Sequence, residues 1–219
     1  MLGIIPIEND VHNSAVREFY VELFNRIGVN VTIKTFPQAR LHQQLEDGLI
    51  DAVFARADSG VKSGNIVVVR ESIFEDAVNI FSQKSEYSFS NLKSLIGYKD
   101  SLNVGCVNGV VSLRDVLNDL KKVHNVIGVT EELQGLKMLV AGRIDVFIAS
   151  GYKTKLLLDR SDFSMSGIKS SGVAVHSRLY INLHSKHMDL VGPLEKALRD
   201  MKANGEYGRL LQVLNSHYE

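Results

Sequence analysis

A single cysteine, Cys106, stands in a chain of 219 residues, so no disulfide can form within it. A core of this size holds without one, and cysteine usage leaves the compartment open. An excess of charge of either sign is also missing, because 25 Lys and Arg balance 25 Asp and Glu. A neutral chain has no global electrostatic attraction for nucleic acid or an anionic membrane, so neither partner is expected. No apolar run approaches the roughly 18 residues that span a bilayer. The apolar start over 2–7 is stopped by Glu8-Asn9-Asp10, too early for the apolar region of an export signal. The expectation is a cytosolic chain or one without its export signal or anchor.

Catalytic signatures are lacking too. The chain has no Gly-x-Ser-x-Gly elbow, no His-Glu-x-x-His pair and no Walker Gly-Lys-Ser/Thr. His184-Ser-Lys-His187 has a spacing compatible with metal on a helix, but it falls where a strand is expected to end and no cysteine or aspartate pattern supports it. No metal and no cofactor are expected. Aromatic residues are sparse near the candidate loops, although Phe74, Tyr152 and Tyr180 can line a cleft.

What is present is a βα alternation. Hydrophobic residues make up 45% and charged residues 23%, and the length suits one large domain or two lobes of about 100 residues. Leu2–Ile7 reads as a strand. Val16, Phe19, Tyr20, Leu23, Phe24 and Ile27 mark one face of a helix that Asn13 or Ser14 can cap and Gly28 stops. Residues 29–36 alternate as a strand, Pro37 opens a helix ending at Asp47-Gly48, and 50–55 form a third strand. This β-α-β-α-β order favours a parallel sheet with helices on both faces. Strands are expected over 66–69 and 77–81, and 82–100 are weakly patterned. The alternation then resumes with strands at 102–107, 126–129 and 144–149. Helices follow Ser112, which with Asp115 makes a capping-box pattern, and run over 131–141 and 152–158. Two short strands, 173–175 and 179–184, precede helices at about 188–203 and 206–216.

One internal echo supports two lobes of like topology. Leu45–Ala55 and Leu139–Ala149 both read L-x-x-G-x-I-D-x-x-x-A. Asp51 and Asp145 fall at equivalent turns, where turn formation and capping are their expected work.

With Phe36-Pro37-Gln-Ala-Arg40, the Leu45–Ala55 turn, Ala77–Phe81, Leu102–Gly109, Leu139–Ala149 and Asn204-Gly-Glu-Tyr207, the chain resembles the type 2 periplasmic-binding fold. Within that fold it is similar to the amino-acid-type (family 3) solute-binding proteins of ABC transporters. The resemblance implies a two-lobed α/β architecture, each lobe a mostly parallel sheet flanked by helices, joined by two hinge strands. It implies a discontinuous first lobe, 1–82 with 180–219, and a second over 83–179. It implies extracytoplasmic, non-catalytic binding of a small polar or anionic solute, amino-acid-like or carboxylate, in an interlobe cleft that closes by hinge motion. The partners would be that solute and a membrane permease or receptor. The alternatives are an enzyme on the same fold, such as a cyclohexadienyl-dehydratase-like lyase using Glu8 or Asp10, and an intracellular effector-binding domain. The chain departs from the family after its third strand. Arg56-Ala-Asp-Ser-Gly stands where a Ser/Thr-rich segment ending in arginine is usual, which argues against a free α-amino acid.

In open α/β sheets ligands sit beyond the carboxyl ends of strands. Arg56 follows a strand and can hold a carboxylate or phosphate bidentately, or else pair with Asp58 or Glu71. Arg40, in the first turn after Pro37, offers a second positive group or is a solvated helix residue. Asn108, Gly109, Val111 and Ser112 lead into a helix N-terminus whose free N–H groups suit an anion, unless they do no more than cap it. Ser150 contacts ligand or caps a helix, and Glu8 binds an amino group or is a solvated loop acid. Cys106, inside an apolar strand, reads as an inert buried thiol.

Overall fold

The computed structural model describes residues 2–4, 10–36, 38–57, 64–110, 113–159, 163 and 165–208. Glu8, Val111, Ser112 and most of the helix expected over 206–216 lie outside them. Two compact units result, Met1–Glu75 with Arg178–Glu219, and Asp76–Ser177.

The first unit contains β1 (Leu2–Ile4), α1 (Asp10–Asn25), β2 (Ile33–Thr35), α2 (Gln38–Glu46), β3 (Ala52–Ala57) and β4 (Ile66–Val68), and later α7 (Val191–Ala203). β1 pairs in parallel with β2 and β3. β9 (Lys169–His184) returns antiparallel to β3 and β4. Period two sends β3 side chains to both faces. Phe54 meets α1, where the Tyr20 ring stacks on it at a centroid distance of 3.7 Å. Val53 meets α2 in a cluster with Leu41, Leu45, Ile50 and Ile66. α7 contributes buried Leu194, Leu198 and Met201.

The second unit holds the rest of β5 (Phe74–Ser82), then α3 (Leu92–Ile96), β6 (Asn103–Val107), α4 (Arg114–Val123), β7 (Asn125–Val129), α5 (Glu132–Val140), β8 (Val146–Ser150) and α6 (Gly151–Leu158). Its strand order is β5-β8-β6-β7. β6, β7 and β8 are parallel, and β5 is antiparallel to β8. Alternate residues feed two cores. Val78, Ile80, Val104, Cys106, Val146 and Ile148 pack on one face with Leu113 and Leu120. Phe81, Val107, Phe147 and Ala149 pack on the other with Leu136 and Leu157. Cys106 is buried in the first of these cores, and burial pushes its thiol up.

The L-x-x-G-x-I-D echo is structural. Gly48 and Gly142 both take a left-handed φ, 69° and 65°. Leu49 N–H donates to Gln44 O and Arg143 N–H to Met138 O, each at 2.9 Å, so both helices end in the same Schellman-like closure. Ile50 and Ile144 then bury equally, at 2% exposure. The two aspartates correct the capping expectation, since each reaches out of its own turn. Asp145 accepts the Asn103 N–H at 2.9 Å, tying β8 to β6. Asp51 accepts His187 Nε2–H at 2.9 Å and Lys186 Nζ–H at 2.8 Å. His184 caps its own turn by accepting the Lys186 N–H at 3.2 Å.

Three further differences from the sequence reading have physical causes. β9 is one strand of 16 residues instead of two short ones, because it pairs with β5 as well as with β3 and β4. α1 begins at Asp10, ahead of the caps expected at Asn13 or Ser14. α3 lies within the weakly patterned 82–100, and a capping box between Asn91 and Ser94 holds its one turn. Beside it His124, 5% exposed, accepts the Leu102 N–H with Nδ1 and donates from Nε2 to Leu95 O. β5 and β9 are the strands within which the chain passes from one unit to the other, at 75/76 and 177/178.

Candidate functional site

In the first unit the residue that matters is Arg56, and a bulge places it. Register pairs Val53 with Asn182 and Arg56 with Tyr180, so three steps on β3 match two on β9. The extra residue is accommodated at Ala55, whose φ is 57°. A left-handed alanine costs on the order of 1 kcal/mol, and bulges of this kind re-aim side chains at strand ends. Without it, Val53 and Arg56 would face opposite sides of the sheet. With it, Arg56 shares the α2 face with Val53, Asn182 and Tyr180. Arg56 is 7% exposed and Asn182 2%. The Asn182 Oδ1 has no hydrogen-bond partner among the described residues. β2 runs parallel to β1 and β3, so α2 starts at the carboxyl edge where Arg56 lies. Arg40 stands exposed in that first turn.

In the second unit β6, β7 and β8 are parallel, so their carboxyl ends share one edge. It carries Asn108 and Gly109, Thr130, and Ser150 with Gly151. Asn108 N–H donates to Val129 O at 2.8 Å. Its side chain lies over Gly128, where an added Cβ would stand 2.3 Å from Oδ1. Gly128 thus makes room for Asn108. Ser150 caps α6, its Oγ accepting the Lys153 N–H at 3.2 Å. The same hydroxyl donates to Asp76 Oδ2 at 2.7 Å, and Asp76 Oδ1 accepts the Tyr152 N–H at 3.3 Å. Lys153 in turn lies 3.7 Å from Glu132, with side chains 15% and 10% exposed.

Asp76 was not among the residues singled out from the sequence. The carboxyl-end rule counts parallel strands, whereas β5 is antiparallel to β8 and enters the same edge by its amino end. The readable signal was the acid directly before the expected strand at Ala77.

Burial, the dominant influence, pushes the Asp76 carboxyl above its ordinary range, and the Ser150 hydroxyl, the Tyr152 N–H, Lys153 and the Ala77 N–H oppose it. A carboxyl raised on folding stabilises the protonated native state. Its contribution is present below the unfolded value of about 3.9 and is lost as pH rises through the folded value. Asp76→Asn keeps an acceptor for Tyr152 and a polar partner for Ser150 but cannot titrate. In urea unfolding from about pH 3.5 to 7, the stability of the wild type relative to Asp76→Asn is expected to fall with rising pH and then level off. A difference that stays flat or rises would show that burial does not dominate at Asp76.

No family model matches the chain. A Shewanella oneidensis protein of uncharacterised function is 24% identical over 203 residues, 91% of this chain and 75% of that one. Among solved structures, an ancestral arginine-binding protein bound to arginine aligns with a TM-score of 0.78 at 19% identity, over 95% of this chain and 94% of that one. A histidine kinase sensor domain with similarity to periplasmic binding proteins gives 0.77 at 12%, covering 95% and 92%. An ancestral amino-acid-binding protein, a precursor of cyclohexadienyl dehydratase, gives 0.74 at 14%, covering 95% and 91%. The chain therefore has the two-lobed α/β fold of the periplasmic binding proteins, and the structures that share it include amino-acid-binding proteins. Among the described residues, no helix is long and apolar enough to cross a membrane.

Proposed function

We propose that this chain is an extracytoplasmic binding protein that takes up a small polar or anionic solute, amino-acid-like or a carboxylate, without chemical change. A membrane permease or a receptor then reads the ligand-bound form. The observation that carries this reading is the buried Arg56, near the carboxyl end of β3 and turned by a strained bulge onto the α2 face. A guanidinium in such a low-dielectric position attracts a carboxylate far more strongly than one in water, and its planar fork fits two oxygens. Arg40 adds positive charge at that end of α2. In the second unit Asn108, Gly109, Val111, Ser112 and Ser150 are the proposed contacts, and Glu8 is proposed for an amino group. Any closure at the hinge strands must draw its energy from contacts that exist only in the closed form. The arginine-binding and kinase-sensor neighbours support the two roles, transport and sensing.

A thermal-shift panel of amino acids, small carboxylates, polyamines and sugars tests it. A solute at about 100 times its Kd adds about 2.7 kcal/mol of apparent stability. One stabilising class is expected, and a panel with no shift removes the reading. The dehydratase-precursor neighbour favours one rival, an enzyme acting on a cyclic prephenate-like acid. Turnover of prephenate by the purified chain would establish it.

A further inference from the structure

Asp76 holds the start of α6, and its charge is left without a counter-ion among the described residues. An ionised carboxylate offers about four acceptor sites. Three donors act on the one at Asp76, the Ser150 hydroxyl at 2.7 Å, the Tyr152 N–H at 3.3 Å and the Ala77 N–H. All three donors are neutral. Among the described residues no cation is ion-paired with it, and Lys153, which acts on it electrostatically, lies against Glu132 at 3.7 Å. Burying a charge is costly until a charge of opposite sign completes its surroundings. Asp76 is nevertheless partly exposed, so a solute can reach it. Its position is also rigid. An added Cβ at Gly151 would stand 2.7 Å from Ala77 O, so the start of α6 is clamped on β5, one residue past Asp76.

We propose that Asp76 accepts a cationic group of the solute, an ammonium or a guanidinium, and that Ser150 is the residue that positions it. The inference rests on the binding reading and narrows it. The solute is then a zwitterion or a cation, and a plain dicarboxylate is excluded. Because the contact needs the ionised carboxylate, affinity is tied to pH, with Lys153 and Glu132 the charged neighbours on the adjoining helices.

The test uses titration calorimetry of the full chain with L-arginine, agmatine and succinate as probes. Agmatine carries the cations without a carboxylate, succinate the reverse. Wild type is expected to bind arginine and agmatine. Asp76→Asn, which retains the hydrogen bonds that fold the site, is expected to weaken both by about 30-fold or more. Agmatine affinity should fall as acid protonates the wild type, and should not in Asp76→Asn. Ser150→Ala should weaken binding less and move the midpoint of that pH profile, which loss of a helix cap alone would not do. Equal cation affinity in Asp76→Asn overturns the inference. Binding of succinate alone, unchanged in the variant, overturns it while leaving the binding reading intact. Silence toward all three probes, and toward the wider panel, ends both.

Discussion

Gly172→Ala is expected to cost about 3 kcal/mol or more of stability, lowering the melting temperature by roughly 6–12 °C. A Cβ built at Gly172 would stand 1.8 Å from Phe89 O and 2.8 Å from the Phe89 carbonyl carbon, and φ there is 155°. Both obstacles are backbone, so no rotamer relieves them. The segments cannot part freely either. Phe89 N–H donates to Ser171 O at 2.7 Å, and the Ser82 and Ser171 hydroxyls meet at 2.9 Å. Phe89 is itself anchored in the core of the second unit beside Tyr87 and Tyr98. Opening the gap would pull that aromatic group apart. Gly192→Ala is the control, because a Cβ there meets nothing within 4 Å. It lies inside α7, where alanine should be neutral or stabilise by up to about 1 kcal/mol. Equal melting of the two variants would mean that the strand passes Phe89 more loosely than the structure has it.

Arg56→Ala is expected to weaken a carboxylate-bearing solute by between about 30-fold and several thousand-fold, the loss typical of truncating one partner of a buried charge pair. Arg56→Lys should fall between, because an ammonium keeps the charge but not the two-pronged geometry. Calorimetric Kd values for wild type and both variants, each checked for its own melting temperature, provide the measurement. Two folded variants that bind like the wild type would remove Arg56 from the site. Moving the bulge should do as much as removing the arginine, since the facing of Arg56 depends on the extra residue at Ala55.

How far the sequence reached follows from which features are local. The paired Gly48 and Gly142 turns were visible because a Schellman-like closure is complete within six residues. The face of α1 was visible because 3.6-residue spacing needs no partner. α3 was missed because one turn carries no period, and its only mark was Asn91 with Ser94. The continuity of β9 was missed because strand length is set by the strands it pairs with.

The site divides in the same way. Arg56, Asn108 and Ser150 could be nominated because they follow apolar runs. That Ser150 spends its hydroxyl on Asp76 and Lys153, and that Arg56 faces α2, could not be read from the chain, since both depend on register between strands distant in sequence. The sequence by itself determined the βα alternation, its internal echo and hence the fold, because periodicity and helix ends are written within a few residues. Only the tertiary structure decided where Arg56 points and that Asp76 belongs to the edge at all. Both follow from antiparallel pairing, which sets a residue's face and the edge it reaches by its partner strand and not by its neighbours in the chain.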